Sequence, residues 1–469
     1  MNIGSRGAPA PCRASGFRLT SPRARRPAAA LTRLAFGRTG ATGAVHLAGV
    51  ASFILTVAIL ARVLPPETLG RLVLLITAAN LAAVAAQMGL GGFALSLFAG
   101  HAARDEDASM SAAAGRMRVL VLASGSLAGG LVALGGVLLW PEDRLLSAAA
   151  GVWTFCAAQL LINAALMRAS GAVRRAALIA GAGQTLSPAC AVAGLIAASL
   201  SWIGLVPASP SSLFIAYSLA AAVLLLGLGL ARRSGGSGQR RTASTEPDGW
   251  GLLAGARPYW LATAAPLLYT QGDIFIVALV APSEMVGYYA AASRLARAAT
   301  LPTTILAQSM APGVAAAYAR NAARELRAIT SAAVALSAAA SLLITLPLIL
   351  VPAMVLGAVF GAPYAAAAPA LAVLAFGRLV WGACGPTGAF LMAGGAGGTL
   401  AKSAVWTTGV AITTSLALGA LFGAAGVAAG FAAALIGQNL FQLACITARF
   451  GFIPHLALLR RAIPKSPRP

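Results

Sequence analysis

Pro65-Pro66-Glu67-Thr68-Leu69-Gly70 and Pro282-Ser283-Glu284-Met285-Val286-Gly287 spell one pattern, P-x-E-x-x-G, at two places 217 residues apart in a chain of 469. Each copy interrupts a long apolar stretch: a hydrophobic segment ends, a tight turn follows, and another hydrophobic segment begins. A membrane hairpin repeated at a little under half the chain length predicts two similar halves, the plan of many secondary transporters.

Composition supplies the solvent. Apolar residues make up 59% of the chain, charged residues 10%, and mean hydropathy is +0.83. A soluble domain carries about 25% charged residues, so lipid must cover most of this surface. Runs of about 20 apolar residues mark spans, and roughly twelve can be read. Six precede the basic stretch Arg232–Gly249 and six follow it. The expected fold is an all-α integral membrane protein of about twelve transmembrane helices, in two parallel six-helix halves around a central cavity. The expected units are a basic N-terminal arm (1–42), a first half (43–231), a cytoplasmic linker (232–251), a second half (252–449) and a basic tail (450–469).

A net charge of +23 suggests nucleic acid until the charges are placed. They gather in the N-terminal arm, in the C-terminal tail and in the loops after the even-numbered spans, such as Arg116 and Arg118, Arg168 and Arg175, and Arg324 and Arg327. The opposite loops hold Arg62, Arg71 and Arg144. By the positive-inside rule both termini are cytoplasmic, and nucleic acid is not an expected partner. An even number of spans separates the two P-x-E-x-x-G turns, so both face away from the cytoplasm and the halves are parallel repeats. The arm lacks acidic residues and is rich in Arg, Ser, Ala and Pro. That suits a disordered tail, an early start or a transit segment.

Familiar chemistry is missing. Cys12, Cys156, Cys190, Cys384 and Cys445 form no C-x-x-C pair and read as small apolar packers. His46, His101 and His455 are far apart, and no metal-ligand spacing exists. Gly394–Ser403 departs from a phosphate loop because Ala401 precedes Lys402. Asp105-Glu106-Asp107 reads as a solvated face, with a nucleotide-sugar or metal site as the sharper alternative. Neither a cofactor nor enzymatic activity is expected.

The charges inside the membrane carry the functional reading. Arg257, Arg294, Arg297, Arg378 and Asp273 fall within apolar spans. Each costs about 2.5–3.5 kcal/mol on insertion scales, so such groups face a cavity or a partner. Helix rise places Asp273, Arg294 and Arg297 at similar depths, about 10–15 Å in, and Arg378 about 18 Å in. Arg257 sits at the cytoplasmic mouth. Two readings stay open. Arg294, Arg297 and Arg378 line a cationic cavity suited to a diphosphate, which arginine holds through paired hydrogen bonds. Alternatively, Asp273 locks two helices by pairing with Arg294 or Arg297. Asp273 is also a candidate coupling acid. Gln87, Gln271 and Gln308 are candidate polar cavity residues, and Gln159, Asn163, Gln184 and Gln438 share that composition. Each can instead bridge helices.

Several stretches carry a resemblance. Ala61 through Gly70 followed by Gln87-Met88-Gly89-Leu90, Asp273-Ile274-Phe275-Ile276 running on to Arg294-Leu295, Phe360-Gly361-Ala362-Pro363-Tyr364, and Phe422 through Gly430 occur in that order. In this the chain resembles the polysaccharide flippases (O-antigen and exopolysaccharide type) of the multidrug/oligosaccharidyl-lipid/polysaccharide exporter superfamily. The resemblance implies a transporter in the cytoplasmic (inner) membrane. It would flip a polyprenyl-diphosphate-linked oligosaccharide by alternating access, with membrane lipid and a polysaccharide polymerase as further partners. The family's acid before Gly89-Leu90 is replaced here by Gln87-Met88. Two alternatives remain: a cation-coupled multidrug exporter of the same superfamily, and a membrane enzyme or assembly factor of glycan synthesis. Short non-cytoplasmic loops weigh against the last.

Overall fold

The computed structural model describes residues 38–102, 107–170, 172–180, 187–207, 209–234, 249–320 and 322–450. Most of the arm, the linker and the tail, together with Arg104, Asp105, Glu106 and Gln184, lie outside the described residues. Among the described residues the chain is helical, with no strand.

The helices, in order, are α1 (Arg38–Val63), α2 (Pro66–Ala86), α3 (Leu90–Ala102), α4 (Asp107–Leu139), α5 (Arg144–Ala169), α6 (Val173–Ile179), α7 (Pro188–Trp202) and α8 (Pro210–Ser234). The second set is α9 (Gly249–Gln271), α10 (Asp273–Val280), α11 (Ser283–Ala298), α12 (Leu301–Ala319), α13 (Ala323–Leu350), α14 (Pro352–Phe360), α15 (Ala368–Cys384), α16 (Thr387–Ala393) and α17 (Gly397–Phe450). Seven helical stretches are each long and apolar enough to cross a membrane. One of them, α17, folds back on itself at Gly423 and supplies two crossings. Residues Thr263–Gln271 of α9 pair with α10 as one bent span, and Leu47–Val63 of α1 and Pro188–Trp202 (α7) are shorter apolar helices. The result is an all-α membrane fold of about twelve helices.

Burial follows the logic of lipid. Along α4, Leu127, Leu131, Leu134 and Leu138 form one stripe, each 55% or more exposed. The protein interior instead holds Ala150, Thr154, Ala158 and Ala164, each fully buried. Water is not the solvent here, so large apolar groups gain nothing by turning inward, and small residues let helices approach closely.

Several basic residues expected in loops lie inside helices. Arg116 and Arg118 belong to α4, Arg324 and Arg327 to α13, and Lys402 to α17. At 33 residues α4 is about 50 Å long. That exceeds the roughly 30 Å hydrocarbon core, so its basic first turns extend into the headgroup region.

The P-x-E-x-x-G motifs now have physical roles. Pro65 (φ −56°, ψ 145°) and Pro282 (φ −58°, ψ 153°) occupy the N-cap positions of α2 and α11 in extended conformation. Glu67 and Glu284 fall in the first turns, where a negative charge complements the helix dipole. The glycines meet each other. A Cβ on Gly70 would lie 2.8 Å from the Gly287 nitrogen, and one on Gly287 would collide with the Pro66 carbonyl oxygen. Seven residues further along both helices, Arg294 Nη2 donates to Thr77 Oγ1 at 2.7 Å. Both pairs are 217 residues apart, so equivalent positions of the two repeats face each other. Residues contact their own equivalents only close to a two-fold axis, and the α2–α11 seam lies on it.

At the other end the halves meet through α3 and α9. Gly89 (φ 77°) packs directly on the backbone of Ala256 and Trp260, where no Cβ fits. The Tyr259 hydroxyl lies 3.1 Å from Ser96 Oγ.

Candidate functional site: a cationic cluster at the break in the seventh span

Gly272 interrupts the seventh span, and the chain restarts as α10 with Asp273 in its first turn. A carboxylate there is favoured by the free N–H groups of the new helix. Asp273 is 4% exposed and both its oxygens are hydrogen-bonded. Its Oδ2 accepts from the Tyr289 hydroxyl at 3.1 Å and from Ser293 Oγ at 2.8 Å, and its Oδ1 accepts from Arg297 Nη2 at 2.7 Å. Tyr289, Ser293 and Arg297 are spaced by four on α11, so one helix face delivers all three donors. Arg297 Nη2 also donates to Ser293 Oγ at 2.8 Å.

Arg297 is only half used. Its Nε and Nη1 are buried and have no hydrogen-bond partner among the described residues. Arg378, on α15, lines a small cavity of about 10 Å³ together with Asp273, room for about one water. Its guanidinium lies 5.9 Å from the Trp381 ring centroid, and it makes no hydrogen bond or ion pair with any described residue. Arg294 turns the other way. It bonds Thr77 and lies 5.4 Å from the Phe53 ring centroid, both in the first half. Arg257 is exposed.

The structure thus brings Asp273, Arg297 and Arg378 together, and it directs Arg294 to the seam between the halves. One acid among three arginines leaves an excess of two positive charges in the membrane interior. Gln87 is buried at the α2–α3 break, and its Nε2 has no partner. Gln271 is half-buried. Neither lines the cavities that flank Asp273. The side chain of Gln308 is outside the described residues. Tyr289 and Ser293 were not singled out from the sequence, although their i−8 and i−4 spacing from Arg297 was visible there. No group of three His, Cys, Asp or Glu among the described residues can hold a metal. Cys156, Cys190 and Cys384 are buried and free.

No family model matches the chain, and no curated protein sequence does. Solved structures do match. An inward-facing multidrug resistance MATE family transporter of the MOP superfamily superposes with a TM-score of 0.65 at 16% identity, over 86% of this chain and 94% of the other. The chain has the fold of MOP-superfamily transporters. An outward-facing member gives 0.62 at 15% identity, over 89% and 97%. A MOP superfamily transporter from Pyrococcus furiosus gives 0.61 at 15% identity, over 89% and 97%; its binding pocket is described as of reverse polarity, suggesting a different function.

Proposed function

We propose that the chain is a flippase that moves a polyprenyl-diphosphate-linked oligosaccharide across the cytoplasmic membrane for surface polysaccharide synthesis, by alternating access between its halves. The observation that carries the reading is the unspent positive charge beside Asp273. Among the described residues, two buried nitrogens of Arg297 have no partner and Arg378 makes no hydrogen bond or ion pair. Buried donors left unpaired are costly. An oxyanion with several acceptor oxygens is the ligand class that satisfies them, through charge-assisted bonds. A diphosphate between a lipid and a glycan has that chemistry.

The fold itself favours a second reading, a multidrug exporter, because the matching structures include multidrug resistance transporters. At 15–16% identity the likeness speaks for the scaffold and not for the cargo. A cationic drug would want acidic residues in its path, and the one acid here is already neutralised by Arg297.

Lipid analysis of a strain lacking the chain tests the two readings. A flippase deletion accumulates a polyprenyl-diphosphate oligosaccharide on the cytoplasmic leaflet and loses surface glycan. Normal glycan with heightened drug sensitivity would replace this reading with the exporter. In the complemented strain, Arg378→Ala is expected to abolish glycan export at normal protein level, and so is Arg297→Ala made together with Asp273→Asn, so that no buried carboxylate is left without its partner. Lysine at either position should restore it in part, since lysine keeps the charge but loses the paired geometry.

A further inference from the structure

The small cavity at Asp273 and Arg378 has a larger neighbour, and Tyr269 lines both. The larger cavity encloses about 430 Å³ between α9, α12, α15, α16 and α17, within the range of small-molecule sites, about 300–1,000 Å³. Among the described residues, none that lines it carries a charge. Its polar wall is a run on α17, where Gln438, Asn439 and Gln442 place three carboxamides within about one and a half turns. Two of the three are held in position. Thr387 Oγ1 lies 3.2 Å from Asn439 Oδ1 and 2.8 Å from Gln442 Oε1, and Gln442 Nε2 donates to Ser403 Oγ at 3.2 Å. Gln438 is 7% exposed, lines the cavity, and has no hydrogen-bond partner among the described residues. Trp381, the residue beneath the Arg378 guanidinium, adds an aromatic face to the same space.

We propose that this cavity is a saccharide subsite, which receives the sugar nearest the diphosphate while Arg378 and Arg297 engage the phosphates in a state where the space beside Asp273 has widened beyond its present volume of about 10 Å³. The inference rests on the flippase reading and deepens it. Its chemistry is independent of the cationic cluster. A carboxamide donates and accepts at once, which matches adjacent sugar hydroxyls. An aromatic ring offers a face to the apolar side of a pyranose. A charged ligand would find no counter-charge here. A wholly apolar ligand would strand the buried carboxamide of Gln438 without a partner. Trp381 lies beside the Arg378 guanidinium and lines the cavity with Gln438, so it joins the phosphate-binding side to the sugar-binding side.

The test measures binding of defined lipids to the purified full-length protein. The probes are undecaprenyl diphosphate alone and undecaprenyl diphosphate bearing one glucose, galactose or N-acetylglucosamine. At least one sugar-bearing lipid should bind about tenfold more tightly than the bare lipid, the worth of one or two added hydrogen bonds. Gln438→Leu and Gln438→Ala should erase that advantage and leave bare-lipid affinity unchanged. Thr387→Val, which removes the hydroxyl beside Asn439 Oδ1 and Gln442 Oε1 while keeping side-chain shape, should erase part of it. Equal affinity for bare and sugar-bearing lipids in the wild type would overturn the subsite and leave the flippase reading standing. So would equal losses for both lipids in the Gln438 variants. Failure of the wild type to bind any of these lipids would overturn both.

Discussion

Gly287 closes one end of the molecule, and replacing it should open that end. The Gly287 Cα faces the Pro66 carbonyl across the α2–α11 seam, and an added Cβ would collide with that oxygen and sit 2.7 Å from the carbonyl carbon. Both obstacles are backbone, so no side chain can swing aside. Even close C–H···O contacts need about 3.3–3.6 Å, so the helices must part by more than about 1 Å. Overpacking of this kind costs about 1–3 kcal/mol. Applied only to the state in which α2 and α11 touch, that cost shifts the conformational equilibrium by about 5–150-fold. The same substitution at Gly70 is milder, because its Cβ would meet the Gly287 nitrogen at 2.8 Å and the Ser283 oxygen at 3.3 Å. Spin labels at exposed Leu145 in the first half and exposed Ser283 in the second report the opening, with the five native cysteines replaced. Pulsed electron resonance should show a longer distance population that grows from wild type to Gly70→Ala to Gly287→Ala. An unchanged distribution in folded Gly287→Ala, or a larger effect at Gly70, would refute the idea that this seam is a gate.

Three further outcomes follow from individual contacts. Asp273→Asn removes the partner of a buried guanidinium and should lower stability by about 3–5 kcal/mol, read as a depressed melting temperature in detergent; adding Arg297→Gln should restore most of it if the pair only locks α10 to α11. Gly423→Ala places a side chain at φ 58°, ψ −141°, so it should destabilise the α17 hairpin by about 1–3 kcal/mol, measured as increased proteolysis or a lower melting temperature. Arg71→Ala, despite ion pairs to Glu67, Glu142 and Asp143 at 2.7–3.1 Å, should change stability by no more than about 1 kcal/mol, and high salt should shrink the difference further.

What was legible in the sequence was whatever repeats or whatever lipid demands. Apolar runs gave the spans, and the spacing of Pro, Glu and Gly gave the two-half plan, because a turn between membrane helices needs those residue types locally. The breaks were not legible. Gly272, Gly385 and the Gln87–Gly89 bend interrupt spans that read as continuous, because hydropathy averages over a window and a single glycine barely changes the mean. The carboxamide wall was missed for a related reason. Gln438 could be picked out as polar, but Asn439, Gln442 and Thr387 acquire meaning only once α16 and α17 pack together, and that packing has no local signal.

The 217-residue offset reaches further than the motif that revealed it. Subtracting it from Arg294 gives Thr77, and those two side chains bond to each other. Subtracting it from Asp273 gives Thr56, which is buried and donates to the Ser52 carbonyl in its own helix. The repeats therefore agree in backbone and differ in charge along the axis. On the axis, a symmetric pair of arginines would repel, and a symmetric pair of threonines would carry no charge. One arginine facing one threonine gives a bond across the seam and leaves the net charge on the second half alone. Off the axis the same asymmetry lets α10 and α11 build the acid–guanidinium cluster without a copy in the first half. A ligand with one anionic group and one neutral group needs two unlike subsites. An exact repeat cannot supply them; the unlike pairs Thr56 and Asp273, and Thr77 and Arg294, give equivalent positions of the two halves different chemistry.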